Sequence, residues 1–163
     1  SRYGAGDRPS EAMTADLYET AVARIESMGL PRYEISNFAR PGLESLHNLK
    51  YWRREPYAGF GADAHSFDGV VRRRNTESAG EFVRRGGRAC VEETVARGAE
   101  ERFFLGLRLS AGVCPDASEW RRWETPISRF VAEGLLERNG ATLRLTRRGV
   151  LLSNEVFQEF ITT

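Results

Sequence analysis

The feature that most constrains this chain is Asn139-Gly140, set between Gly134-Leu135-Leu136-Glu137-Arg138 and Thr142-Leu143-Arg144-Leu145-Thr146. Asn-Gly enters the left-handed conformations of a type I′ turn at little steric cost. That turn matches the twist of paired strands, so the dipeptide predicts a tight antiparallel hairpin. Thr146 then stands where its hydroxyl can cap a last helix, in which Leu152, Val156 and Phe160 recur at i, i+4 and i+8. Ahead of the hairpin, the apolar spacing predicts helices over 78–85, 99–109, 117–122 and 127–133. Helices leading into a small hairpin describe a helix-rich, winged-helix-like C-terminal domain. The composition changes near Ser78, which divides the chain into domains over 1–77 and 78–163.

The first of these is of mixed type. Ser10 is placed to cap a helix, and Met13, Leu17, Ala21, Ile25 and Met28 form a stripe that Gly29 and Pro31 end. Tyr33-Glu34-Ile35-Ser36-Asn37-Phe38-Ala39 reads as one strand with Tyr33, Ile35 and Asn37 on one face. Arg40-Pro41-Gly42 opens a polar loop. Tyr57 to Phe67 alternates small and aromatic residues, and Asp68-Gly69 turns into a strand over 70–75. A helix turning into a strand is half of a βα repeat and suggests an α/β layer; followed by the helix-rich C-terminal domain, it makes the chain as a whole α+β in expectation.

Charge and cysteine content remove several function classes. The 24 basic and 23 acidic residues leave a formal charge of +1, which gives no global attraction to nucleic acid or an anionic membrane. No stretch approaches the ~20 apolar residues of a membrane span, and the expected compartment is the cytoplasm. Cys90 and Cys114 are the two cysteines, too far apart for a cluster or redox motif, and are expected as free thiols. The opening Ser1-Arg2-Tyr3-Gly4-Ala5-Gly6-Asp7-Arg8-Pro9 lacks an initiator methionine and reads as part of a longer chain.

Three stretches carry a family resemblance. They are Tyr33 to Gly42; His47-Asn48-Leu49-Lys50-Tyr51-Trp52-Arg53 continuing to Tyr57-Ala58-Gly59-Phe60-Gly61-Ala62-Asp63-Ala64-His65-Ser66; and Leu145 to Phe157. In this order they resemble the HemW-type proteins, the coproporphyrinogen III oxidase-like haem chaperones of the radical S-adenosylmethionine class. The resemblance implies that residues 1–77 are the end of a partial radical-SAM (βα) barrel with its extension, and that the rest is the family's C-terminal domain. The family's CxxxCxxC motif is absent. Without three thiolates a [4Fe–4S] cluster cannot be held in the family's manner, so the cluster and S-adenosylmethionine chemistry would belong to the full-length parent, and this chain alone would be inactive.

The resemblance also implies site residues. His47, Asn48 and Tyr51 match its HNxxY haem motif, with His47 as candidate iron ligand; on a helix, positions 47 and 51 lie one turn apart on one face. The structural alternative has His47 capping a short helix and Tyr51 packing. Gly59, Phe60, Gly61 and Ala62 resemble the segment lining the S-adenosylmethionine site, with Ser36 and Asn37 at the end of the last barrel strand. A β-bulge would explain the glycines equally. His65 is a further ligand candidate or an ordinary histidine, with Asp63 beside it. Arg72, Arg73 and Arg74 suit tetrapyrrole propionates, or a solvated face paired with glutamates.

A winged-helix module raises DNA binding as the rival reading. Its recognition helix, 127–133, would carry only Arg129, and Glu133 and Glu137 offset Arg144, Arg147 and Arg148, so nucleic acid is not the expected partner. The expected partners are haem or another tetrapyrrole and the N-terminal half of the parent. Unpaired barrel edges also suggest a homodimer or swapped assembly. For the parent, haem trafficking and oxidative decarboxylation of coproporphyrinogen III to protoporphyrinogen IX stay open, and the HNxxY motif favours the first.

Overall fold

The computed structural model describes residues 10–86, 90–96 and 98–161, so the opening stretch over 1–9 lies outside it. Helix α1 (Glu11–Ser27) starts where Ser10 accepts a hydrogen bond from the Met13 amide at 3.2 Å. The stripe expected to face a core does not: Met13 and Leu17 are each 55% exposed and Met28 is 64% exposed, while Val22 is buried. The face turned inward is that of Tyr18 and Val22, i and i+4, with the Tyr18 hydroxyl donating to the Ile35 carbonyl at 3.1 Å.

The strand expected over 33–39 is instead a hairpin, β1 (Arg32–Glu34) and β2 (Asn37–Phe38), reversing at Ile35-Ser36. A buried carboxylate drives the reversal. Glu34 Oε1 accepts from the Ser36 amide at 3.2 Å and from the Asn37 side-chain amide, which pulls the chain back on itself. The outer edge of β1 is closed from the C-terminal side. Ile35 N–H donates to the Arg108 carbonyl and Ser110 N–H to the Tyr33 carbonyl, both at 3.0 Å.

After α2 (Leu46–Trp52), strands β3 (His65–Phe67), β4 (Val71–Asn75) and β5 (Cys90–Val95) form an antiparallel sheet in that order, with α3 (Ala79–Arg84) between the last two. β5 is not anticipated from sequence, and its pairing with β4 carries this sheet across the boundary expected near residue 78. The sheet is stitched by cross-strand charge: Arg73 sits opposite Glu93 and bonds it at 2.9 Å, and Arg74 sits opposite Glu92 and bonds it at 3.0 Å.

Asp68 shapes the β3–β4 turn. Its carboxylate accepts from the Val71 amide at 2.8 Å, from Arg73 at 2.7 Å and from the Val70 amide at 2.9 Å, and these hold it well below the usual carboxylate range. A depressed folded value means that the stabilisation is present above the unfolded value of about 3.9 and is lost as pH falls toward the folded one. The Val70 and Val71 amide resonances are therefore expected to stay fixed at neutral pH and move on strong acidification. In Asp68→Asn they should show no such step; the same acid response in both proteins would count against Asp68 as its source.

The main core lies in the C-terminal half: α4 (Gly98–Gly106), α5 (Ala117–Arg122), α6 (Glu124–Ala132), the hairpin β6 (Leu136–Asn139) and β7 (Thr142–Leu145), α7 (Arg147–Leu151) and α8 (Ser153–Ile161). Phe103 is fully buried, with Trp123 and Phe160 at ring distances of 4.3 and 4.6 Å. Asp116 opens α5 with a capping box closed by Glu119, whose buried carboxylate also pairs with Arg102. The expected hairpin forms, but it turns one residue later, at Gly140-Ala141: Asn139 is still paired opposite Thr142, and Gly140 takes the left-handed conformation at φ 60°. The last helix is two: a break at Leu152 separates α7, capped by Thr146, from α8.

Candidate functional site

Ser45, not His47, caps α2, accepting from the Asn48 amide at 3.3 Å. This frees the imidazole. His47 is exposed, and its ring meets Tyr51 edge-on at 4.9 Å, the one-turn separation expected of a helix. No hydrogen bond among the described residues occupies its ring nitrogens. Leu43 and Leu46, four and one residues before it, are 71% and 76% exposed, so the segment that carries the imidazole offers apolar side chains to solvent. Asn48 turns the other way, its side-chain amide donating to the Tyr33 hydroxyl at 3.4 Å, which ties α2 to β1.

An aromatic series runs inward from His47. Tyr51 packs on Tyr57 at 4.4 Å, and Tyr57 on buried Phe67 at 6.3 Å. The Tyr57 hydroxyl accepts from Arg72 at 3.4 Å; burial raises its pKa above the usual phenol value, against the opposing pull of the guanidinium. Arg72 and Arg54 both lie over the Phe67 ring and both bond the Glu101 carboxylate, at 2.6 and 3.3 Å. Glu101 is not marked by local sequence.

The residues expected at an S-adenosylmethionine site lie on two stretches of the chain, each with its own local contacts. Ser36 and Asn37 are held in the β1–β2 reversal by Glu34. Gly59 is bound through its amide to Ser66, and the Gly61 carbonyl accepts from Asn75. A Cβ on Gly59 would lie 2.1 Å from the His65 carbonyl oxygen, so close backbone approach accounts for that glycine. Phe60 is 89% exposed, Ala62 is half-buried, and no hydrogen bond among the described residues joins this segment to Ser36 or Asn37.

His65 is exposed at the start of β3, opposite Arg74. Arg72, Arg73 and Arg74 are each engaged by carboxylates, Arg74 by Asp63, Glu77 and Glu92. Around the C-terminal hairpin Arg129 pairs with Glu133 and Glu159, Arg144 with Glu137 and Arg147 with Glu26, while Arg138 and Arg148 donate to the Gly140 and Glu133 backbone carbonyls. Phosphate binding there would first have to break these pairs. No group of three metal-ligating side chains occurs among the described residues, and no described helix is long and apolar enough to cross a membrane.

The fold places the chain beside a radical SAM enzyme. It superposes on coproporphyrinogen III oxidase (HemN) from Escherichia coli with a TM-score of 0.71, covering 98% of this chain and 43% of that one at 17% identity. Residues 98–152 match the HemN C-terminal domain family. The heme chaperone HemW of Bacillus subtilis (strain 168) is 36% identical over 94% of this chain and 44% of its own length. That of Lactococcus lactis is 31% identical over 94% of this chain and 43% of its own length. The chain belongs to the HemW-type, coproporphyrinogen III oxidase-like family of radical S-adenosylmethionine proteins, and spans less than half the length of these relatives.

Proposed function

We propose that the α2 face binds haem through His47, as part of a haem-handling protein of the HemW type. The observation that supports this most is the state of His47: an exposed imidazole with no hydrogen bond among the described residues, steadied by Tyr51 and preceded in the chain by exposed Leu43 and Leu46. Neutral imidazole is a sound axial donor to haem iron, and the flanking apolar surface suits a macrocycle edge. Asn48 and Tyr51 act by holding the helix and the ring. When bound, the haem would supply the iron; the chain supplies the ligand and its orientation.

The same reading assigns the [4Fe–4S] cluster and S-adenosylmethionine chemistry to the full-length parent, with Ser36, Asn37 and Gly59 to Ala62 contributing to a nucleoside wall there. On this basis the isolated chain is not catalytic. Met13, Leu17 and Met28 on the exposed face of α1 would pack against the rest of a (βα) barrel, or against a second copy, while the winged-helix-like tail serves assembly rather than DNA. Oxidation of coproporphyrinogen III is supported by likeness of fold alone.

Titrating the chain with hemin is expected to give a saturable Soret change that His47→Ala weakens by at least about tenfold, as loss of an axial ligand should. An unchanged Soret response in His47→Ala would remove His47 as the ligand.

A further inference from the structure

Arg54 breaks the rule of its position. α2 closes with the Arg54 amide donating to the Tyr51 carbonyl at 3.1 Å and the Glu55 amide to the Lys50 carbonyl at 2.9 Å, the paired bonds of a Schellman motif. The residue after the cap in such a motif is left-handed and usually glycine, because a Cβ is crowded there. Here it is an arginine with φ 55°. A strained backbone of this kind persists when the surroundings over-determine it, and is a reason to ask what the side chain does.

Its guanidinium, 14% exposed, donates to the Gly98 carbonyl at 2.9 Å and to Glu101 at 3.3 Å. Both acceptors lie on α4, inside the part matched by the HemN C-terminal domain family. The same Glu101 oxygen takes the 2.6 Å bond from Arg72, which holds Tyr57, which packs on Tyr51, which meets His47. One carboxylate on α4 thus grips α2 by two routes. The first runs through the backbone at the end of the helix, the second through the aromatic series beneath His47. With Glu101 at 18% and Arg54 at 14% exposure, the pair is partly withdrawn from water, where such bonds hold geometry more firmly than at an open surface.

We infer that Glu101, acting with Arg54, is a positioning residue for His47, so that the C-terminal domain sets the geometry of the haem-binding face. This rests on the haem reading of α2. The test is hemin titration of the chain in wild type, Arg54→Gly, Glu101→Gln, the double variant and His47→Ala, with thermal unfolding of each. Glycine suits the left-handed backbone, so Arg54→Gly should fold normally while losing the grip, and it carries the test if Glu101→Gln does not fold.

Each single variant is expected to bind hemin about tenfold more weakly, with a broadened Soret band and little change in unfolding temperature, as for other groups that orient a ligand. The double variant should be no weaker than the worse single one, because both remove the same link. Wild-type affinity and Soret shape in Arg54→Gly, with His47→Ala impaired, would overturn the positioning role and leave the haem reading intact. Unchanged binding by His47→Ala would overturn both.

Discussion

Replacing Phe103 with alanine is expected to lower the unfolding free energy by about 3–5 kcal/mol, the range for removing a fully buried aromatic ring. Phe103 lies at the meeting point of α4, the α5–α6 junction and α8, touching Trp123 and Phe160, while Phe130 packs on Phe160 from farther out at 6.3 Å. These neighbours are themselves large and buried, so they cannot collapse into the space without leaving low-energy rotamers. The loss should be read by urea denaturation followed through tryptophan fluorescence, since Trp123 reports directly on the site. A shift of less than about 1 kcal/mol would mean that the aromatic cluster is not the cohesive centre described above. Because Glu101 is two residues away on α4, the same variant is also expected to loosen α2.

Gly149→Ala is expected to be the next most damaging change. A Cβ at Gly149 would lie 1.9 Å from the Leu135 carbonyl oxygen and 2.8 Å from its carbon, against backbone that cannot swing aside. That carbonyl also accepts from the Thr146 amide at 3.0 Å, and the Thr146 hydroxyl caps α7 by accepting from the Gly149 amide at 2.9 Å. Adding one methyl group therefore pushes α7 off the hairpin and strips the helix of its cap. Overpacking of this kind costs about 1–3 kcal/mol, and loss of the cap about 1 kcal/mol more. Circular dichroism melting checks it: the variant should melt well below wild type, and a melt matching wild type would show that α7 and Leu135 are not in the contact described.

Much of the C-terminal half was legible because its signals are local. The Asn139-Gly140 signal marks the hairpin to within one residue, Thr146 caps α7, and Val156 and Phe160 are buried along α8 as their spacing requires. Ala117–Arg122 is the helix its pattern predicts. The errors occur where a distant partner decides. The apolar stripe on α1 points outward because Tyr18 is claimed by the Ile35 carbonyl, seventeen residues on. The strand over 33–39 folds back because Glu34, which reads as the polar residue between Tyr33 and Ile35 on a strand's outer face, is buried and holds the reversal. β5 is inconspicuous because its charged residues pair across the strand with Arg73 and Arg74 instead of alternating with a clear apolar face.

At the site, the motif His47-Asn48-Leu49-Lys50-Tyr51 was readable, and its helical placement follows the spacing. What supports it was not. Glu101 lies 47 positions from Arg54 and 29 from Arg72, so no window of sequence connects them. The one local signal is Arg54 itself, a bulky residue where a helix C-terminus would ordinarily carry glycine. The glycines at 59 and 61 illustrate the opposite case: a motif that invites a ligand reading, of which Gly59 is accounted for by its approach to the His65 carbonyl.

The chain has two histidines, and this makes the central proposal directly observable. With both imidazoles labelled with nitrogen-15, NMR spectra recorded during addition of ferric hemin should show the His47 ring signals broadened and displaced by the paramagnetic iron, while those of His65 persist. Persistence of the His47 signals through saturating hemin, or selective loss of the His65 signals, would contradict the assignment of haem binding to the α2 face.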